Sequence, residues 1–472
     1  MKEDNNVGED FKMNSLVERF EEMLSNEDSY YFDVEEFESI IDHYFEFNKL
    51  NKIKLAINLA SDQHPSSVSV MLKRAKYFAS TNKEKKALEL LSEVEMLEPN
   101  NSEIFFTKGS IYSLLNKYNK AIEEYQKATV DGEDLGEIYV NIAFEYENLG
   151  NYEKAIEYLM KSVKINPEND SVIYELSFCF EINASSEQGI EYFIKFLDDN
   201  PFSSVAWFNL GVLYSNLELH EKAIDAYDFA IAIEDNFSSA YFNKANSLAN
   251  LKEFNKAIST YQETLLYEEE DALTYFYIGE CYEKLKNSDL ALKNYFKAIE
   301  LNDNFPDAFM AVGIIYEDNN QNEKALKYMQ KAVALDENNA DFLYNLGDLQ
   351  YLNKLYDDAI DTYAKVIEVN PLNHEIWLDY SEVIAIHNGI EKAIEAINNG
   401  IESQPENASL FYRKSSYLFE SGNIKESYKI LIEALEMNFS SHDEFFYFKP
   451  ELKENPTIIE IINSFKQKTD NC

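Results

Sequence analysis

Cysteine, tryptophan, proline and glycine are all scarce in this 472-residue chain, at three, two, nine and thirteen residues. Three cysteines, Cys179, Cys281 and Cys472, cannot all pair within one chain, and none falls in a C-x-x-C spacing, so neither a disulfide framework nor a thiol metal site is expected. Partly buried core thiols are the expected role of Cys179 and Cys281. Positive charge is short as well: 42 Lys and Arg stand against 86 Asp and Glu, for a formal net charge of −44. Nucleic-acid affinity comes largely from cations releasing the counterions of phosphate, and anionic lipid attracts the same sign, so this balance argues against both as partners. No apolar run approaches the ~20 residues that span a bilayer. The first residues, MKEDNNVGED, are acidic and polar where a secretory signal is basic and then apolar. A cytoplasmic protein is the expectation.

Catalytic patterns are missing too. His220 and His374 are each followed by Glu, but Ile224 and Leu378 stand where an H-E-x-x-H zinc motif needs its second histidine. There is no G-x-x-x-x-G-K-[ST] loop and no G-x-S-x-G elbow. The abundant carboxylates read as solvated helix faces, so no catalytic residue, metal or cofactor is assigned and the chain is not expected to be an enzyme.

What the sequence has is a period. Twelve 34-residue copies run from Val34 to Ser441 without insertion or deletion. With Ser204 as position 1, position 4 carries a large apolar residue (Phe105, Tyr139, Trp207, Tyr275, Trp377), and positions 8 and 20 are small (Gly211, Gly279, Gly347; Ala223, Ala291, Ala359). Proline falls at position 32 in Pro65, Pro99, Pro167, Pro201, Pro371 and Pro405. Apolar residues at 4, 7 and 11, and again at 20, 24 and 27, follow the spacing of two amphipathic helices per copy. The small residues at 8 and 20 should mark the helix crossing, with aromatics at 4, 11 and 24 filling the flanks. Proline disfavours helix in the residue before it, so position 32 ends the second helix. One helical pair buries too little alone, and stacking of successive pairs gives an all-α solenoid counted as one continuous array.

The pattern resembles the tetratricopeptide repeat, with its W-x2-L-G-x2-Y, A-x3-F and Pro signature, over residues 34–441. The resemblance implies a right-handed superhelix of antiparallel helix pairs. Residues 1–33 are expected to be a disordered start and a capping helix from Phe11 to Ser25, and residues 442–472 a closing helix and tail. Looseness is expected at VDGEDLG (130–136) and in the copy from Asp170, where Gly189 and Phe196 depart from alanine.

In the family resembled, positions 2, 5, 6, 9, 12 and 13 of the first helix line a concave groove. Position 5 is an apolar, largely aromatic stripe that includes Tyr174, Phe208, Phe242, Phe276 and Tyr344, either inter-repeat core or ligand contact. Position 6 repeats asparagine at Asn141, Asn209, Asn243 and Asn345, with Asn246 one turn beyond Asn243. Asparagine is a poor helix former, so propensity does not explain its return. The row resembles the asparagine ladder of tetratricopeptide superhelices that hold peptide main chain; solvent-facing or inter-repeat hydrogen bonding is the alternative. Tyr277, Glu280 and Asp348 complete the candidate set, and acids including Glu175, Asp379 and Glu382 imply a neutral to basic ligand. The basic residues that tetratricopeptide domains use to grip a chaperone's C-terminal carboxylate are missing, since position 5 is never basic and Lys73 and Arg413 stand alone at position 6.

A non-enzymatic scaffold is therefore expected, holding a partner peptide or protein segment between about Glu137 and Asp348. Two alternatives remain open: a regulatory module for a catalytic partner on another chain, and a self-assembling structural protein. Oligomeric state is not readable from the sequence.

Overall fold

The computed structural model describes residues 15–26, 29–130, 134–447 and 449–469. All regular structure among them is helical. The chain forms two compact units, Met1–Ser247 and Leu248–Cys472.

Each copy is one helical hairpin. In the copy 204–237 the helices are Ser204–Asn216 and His220–Ile233, and in 408–441 they are Ala408–Glu420 and Ile424–Met437, so the same positions form the same helices in a middle copy and in the last. Local chemistry sets these bounds. Ser, Asn or Asp precedes most first helices and caps the free amides: the Ser203 side chain accepts from Ala206 N–H, Asn169 from Val172 and Asn339 from Phe342. The first helix ends because position 15 turns left-handed, at Asn48, Ala184, Glu218, Asn320 and Lys354 among others. There Leu219 N–H donates to Tyr214 O and Glu218 N–H to Ser215 O, both at 2.9 Å, which satisfies the last carbonyls. The second helix stops at position 30. The residue before each position-32 proline is non-helical, as at Asn200 (φ −129°, ψ 59°), but Glu234, which precedes Asp235, adopts nearly the same backbone (φ −131°, ψ 95°). Proline reinforces this turn without being needed for it.

The helices of a hairpin pack early position against late, as antiparallel partners must. A Cβ at Gly211 (position 8) would meet the Tyr227 ring (position 24), one at Gly400 (27) would meet Trp377 (4), and one at Gly189 (20) would meet Phe180 (11). Positions 8 and 20 do meet, since a Cβ at Gly313 (8) would also stand 3.4 Å from the Ala325 (20) carbonyl oxygen, but what fills the space at each is a large side chain from the facing helix. Small residues make room for large ones across the interface: 24 covers 8, and 11 covers 20. The same contact gives Gly189 a packing role, since its Cβ would also stand 2.7 Å from a Leu213 methyl.

In the first unit, the helix over residues 15–26 places Phe20 and Met23 in one cluster with Phe32, Phe37, Ile41 and Ile53; these two isoleucines stand at positions 8 and 20 of the first copy, where other copies are small, and pack under its cover. The expected disordered start and the first residues of that helix lie outside the described residues, as do residues 131–133 of the VDGEDLG turn. The helix before that turn, Tyr118–Ala128, is shorter than its counterparts.

In the second unit the expected single closing helix is replaced by two 3-10 segments, Phe439–Phe446 and Pro450–Glu454, and an α-helix, Pro456–Thr469. Pro450 and Pro456 each begin a new segment, as a residue without an amide hydrogen does. Phe445, Phe446, Leu452 and Ile458 pack with Leu431, Ala434 and Leu435 of the last copy.

Candidate functional site

In the first unit, the position-6 asparagines share one conformation. Asn141 Nδ2 donates to Glu137 O (2.9 Å), Asn209 Nδ2 to Val205 O (2.8 Å) and Asn243 Nδ2 to Ser239 O (2.9 Å), each four residues back in its own helix. One amide hydrogen is used locally, which fixes the carboxamide and leaves its other hydrogen and its oxygen. Asn141 and Asn243 are half-buried, while Asn209 is only 3% exposed. The position-5 residues diverge: Tyr174 is 39% exposed, whereas Phe208 is buried beneath it, its ring edge-on to Tyr174 at 5.9 Å and 5.0 Å from Phe237. Phe242 and Asn246 are half-buried.

The same unit holds a polar seam that the period did not reveal. Position 12 of one copy faces position 10 of the next: Ser215 Oγ lies 3.1 Å from Ser247 Oγ, and Glu147 stands against the fully buried Cys179. Glu147, Glu175 and Cys179 bring their oxygen and sulfur atoms within 4.8 Å of one another. Burial, with Glu175 alongside, pushes the Glu147 carboxyl up to about 7, and burial pushes the Cys179 thiol well above its usual range. A protonated Glu147 and a neutral thiol reduce the charge that this group buries. A structural zinc site, by contrast, needs four soft or imidazole ligands.

In the second unit, Phe276 is a packing residue, 5.0 Å from Phe305 and 5.4 Å from Tyr295, and Tyr277 stacks on Tyr261 at 6.0 Å. Burial, then repulsion from Glu283, raises the Glu280 carboxyl. Asn345 Nδ2 makes the same backward bond, to Asp341 O at 2.7 Å. Tyr344 and Asp348 converge on a cavity of about 220 Å³ together with Tyr351, Tyr363, Asp379 and Glu382. Tyr344 OH donates to Asp379 Oδ2 (2.6 Å), Tyr363 OH to Asp348 Oδ1 (2.5 Å) and Tyr351 OH to Glu382 Oε1 (3.1 Å). Burial raises the carboxyls of Asp348 and Asp379. The basic residues at position 6 are paired to position 9 of the copy before, Lys73 to Asp42 at 2.6 Å and Arg413 to Glu382 at 2.9 Å. The sequence does not single out Tyr363, because its position, 24, carries core residues in other copies, nor Tyr351, because its position, 12, carries Glu, Ser or Ala in most other copies.

Both units are stacks of helical hairpins, the architecture of an α-solenoid built from tandem repeats. Comparison with known families matches the tetratricopeptide repeat at residues 102–129, 136–169, 204–237, 238–271, 272–305 and 313–374. The chain belongs to the tetratricopeptide-repeat family. Similar solved structures include the Cut9–Hcn1 hetero-tetramer of the APC/C (16% identity over 81% of this chain and 89% of that one, TM-score 0.39). Another is YrrB, described as a TPR protein with an unusual peptide-binding site (23% identity, 41% and 99%, TM-score 0.34). A third is the C-terminal part of a TPR repeat-containing protein from Cytophaga hutchinsonii (17% identity, 54% and 98%, TM-score 0.44). No curated protein sequence matches this chain. No helix among the described residues is long and apolar enough to cross a membrane.

Proposed function

We propose that this chain is a non-catalytic interaction scaffold that holds an extended, neutral to basic segment of a partner protein against the first helices of its repeats. The observation that carries this reading is the common conformation of the position-6 asparagines. Each is oriented by a bond to its own helix and keeps one donor and one acceptor for a peptide main chain, which presents the complementary pair. The enclosed Asn209 holds its helix face, so main-chain contact falls to Asn141 and Asn243 in the first unit and Asn345 in the second.

The test is affinity capture from native lysate with mass spectrometry, comparing wild type with Asn141→Ala, Asn243→Ala. A partner held by wild type should be lost from the double variant while circular dichroism and melting stay unchanged. Equal capture by both proteins, or no partner on wild type, would overturn the reading.

A further inference from the structure

We propose that the cavity between Tyr344 and Glu382 is a pocket for the cationic end of a lysine or arginine side chain, supplied by the partner segment. The inference rests on the scaffold reading and gives it a specificity determinant.

Four observations support it. First, charge in the cavity is only partly balanced. Glu382 has both oxygens engaged, one by Tyr351 and one by Arg413. Asp348 and Asp379 each accept one tyrosine hydroxyl through a single oxygen, and no salt bridge reaches either among the described residues. Two half-buried aspartates from consecutive copies therefore keep one acceptor oxygen each and have no ion-pair partner among the described residues. Burying an uncompensated carboxylate is costly, and a bound cation would remove that cost.

Second, the walls are tyrosine rings, whose faces attract ammonium and guanidinium groups. Third, Leu352 lines the same cavity and is 64% exposed, an apolar rim suited to the methylene stem of a long basic side chain. Fourth, the chain makes this pairing itself one copy further on. Arg413 inserts beside Glu382 with its guanidinium carbon 5.8 Å from the Tyr417 ring centroid. An inorganic ion fits less well, because the cavity's three carboxylates are not among the described side chains that converge closely enough to share one metal.

The experiment uses the full chain and four fluorescein-labelled, end-capped pentapeptides, alanine except for a central lysine, arginine, norleucine or glutamate, read by fluorescence anisotropy. The lysine or arginine peptide should bind at least about ten-fold tighter than the norleucine peptide, and the ratio between those two distinguishes ammonium from guanidinium. Asp348→Asn with Asp379→Asn should lower that affinity about ten-fold. The double variant removes two charges from a chain of net charge −44, so loss on that scale does not come from general attraction. Should this variant melt early, Leu352→Lys carries the test, because an ammonium tethered at the rim should exclude the peptide's own.

Equal binding of the lysine and norleucine peptides would overturn the proposal, as would undiminished binding by these variants. Displacement by calcium but not by sodium at equal ionic strength would overturn it too. If wild type captures a partner but does not distinguish the peptides, this inference falls and the scaffold reading stands. If the peptides are distinguished but no partner is captured, the scaffold reading falls instead.

Discussion

The ring of Tyr227 lies so close to Gly211 that a Cβ built on that glycine would stand 2.5 Å from the tyrosine's Cε1. Gly109 with Tyr125, Gly279 with Tyr295 and Gly347 with Tyr363 repeat the contact. In an exposed helix, alanine would be better than glycine by about 1 kcal/mol. Here Gly211→Ala is expected to destabilise the first unit by about 1–3 kcal/mol, because the added methyl must displace a fully buried ring. Adding Tyr227→Leu should restore most of the loss, since the copy 136–169 packs Ala143 and Leu159 at these two positions, both fully buried. Urea unfolding followed by Trp207 fluorescence measures both; a neutral single variant would refute the packing argument.

The left-handed turn residue gives a prediction of opposite sign. Ala184 has φ 50° in a solvent-exposed turn, a conformation that costs a residue with a Cβ about 1–2 kcal/mol. Ala184→Gly is expected to raise stability by about 1 kcal/mol, the relief of strain exceeding glycine's greater unfolded freedom. Gly150, at the equivalent place with φ 69° and open space within 4 Å of where a Cβ would stand, should lose a similar amount as Gly150→Ala. Thermal midpoints that move the other way would contradict the strain assignment.

These two cases show how far the sequence could be read. Helix positions and hairpin order follow from a period that twelve copies average over, so one irregular copy does not disturb them. Which small residue faces which large one did not follow, because Gly211 and Ala223 look equivalent in sequence while only one lies under a tyrosine. In the closing segment the apolar run from Phe445 to Phe465 suggests one helix, but Pro450 and Pro456 within it divide the run. The stripe at position 5 mixed core and surface, since a ring at one register is buried at Phe208 and exposed at Tyr174 according to its neighbours. The seam of Glu147, Glu175 and Cys179 joins different copies, and intra-copy spacing carries no signal for it.

That seam links stability to pH. Burial raises Glu147 to about 7 from an ordinary 4.5, so the native state holds this proton more tightly than the unfolded chain. Its contribution is then complete below about 4.5 and is lost as pH rises through 7. Glu147→Gln should therefore be more stable than wild type at pH 8 and show little such gain at pH 5. Paired urea midpoints at the two values decide the matter, and an equal effect at both would exclude a proton linkage at this site.

Arg413 and Glu382 provide the strongest coupling to test in the second unit. Arg413 is 8% exposed, and its Nη1 reaches Glu382 Oε2 at 2.9 Å, Tyr417 OH at 3.3 Å and Leu378 O at 3.4 Å. Arg413→Met keeps much of the bulk but leaves Glu382 without its cation beside Asp379, so a loss of about 3 kcal/mol is expected, at the low end for a buried pair because Glu382 is partly exposed. Glu382→Gln should cost less, since its amide oxygen can still accept from the guanidinium while its amide nitrogen donates to the Tyr351 hydroxyl oxygen. Combining them should recover more than about 1 kcal/mol relative to the sum of the singles, as residues sharing one network do not act independently. Additive losses in denaturant melts would mean that Arg413 is held by the Leu378 carbonyl and Tyr417 rather than by the carboxylate, and that the cavity beside it carries no balancing charge of its own.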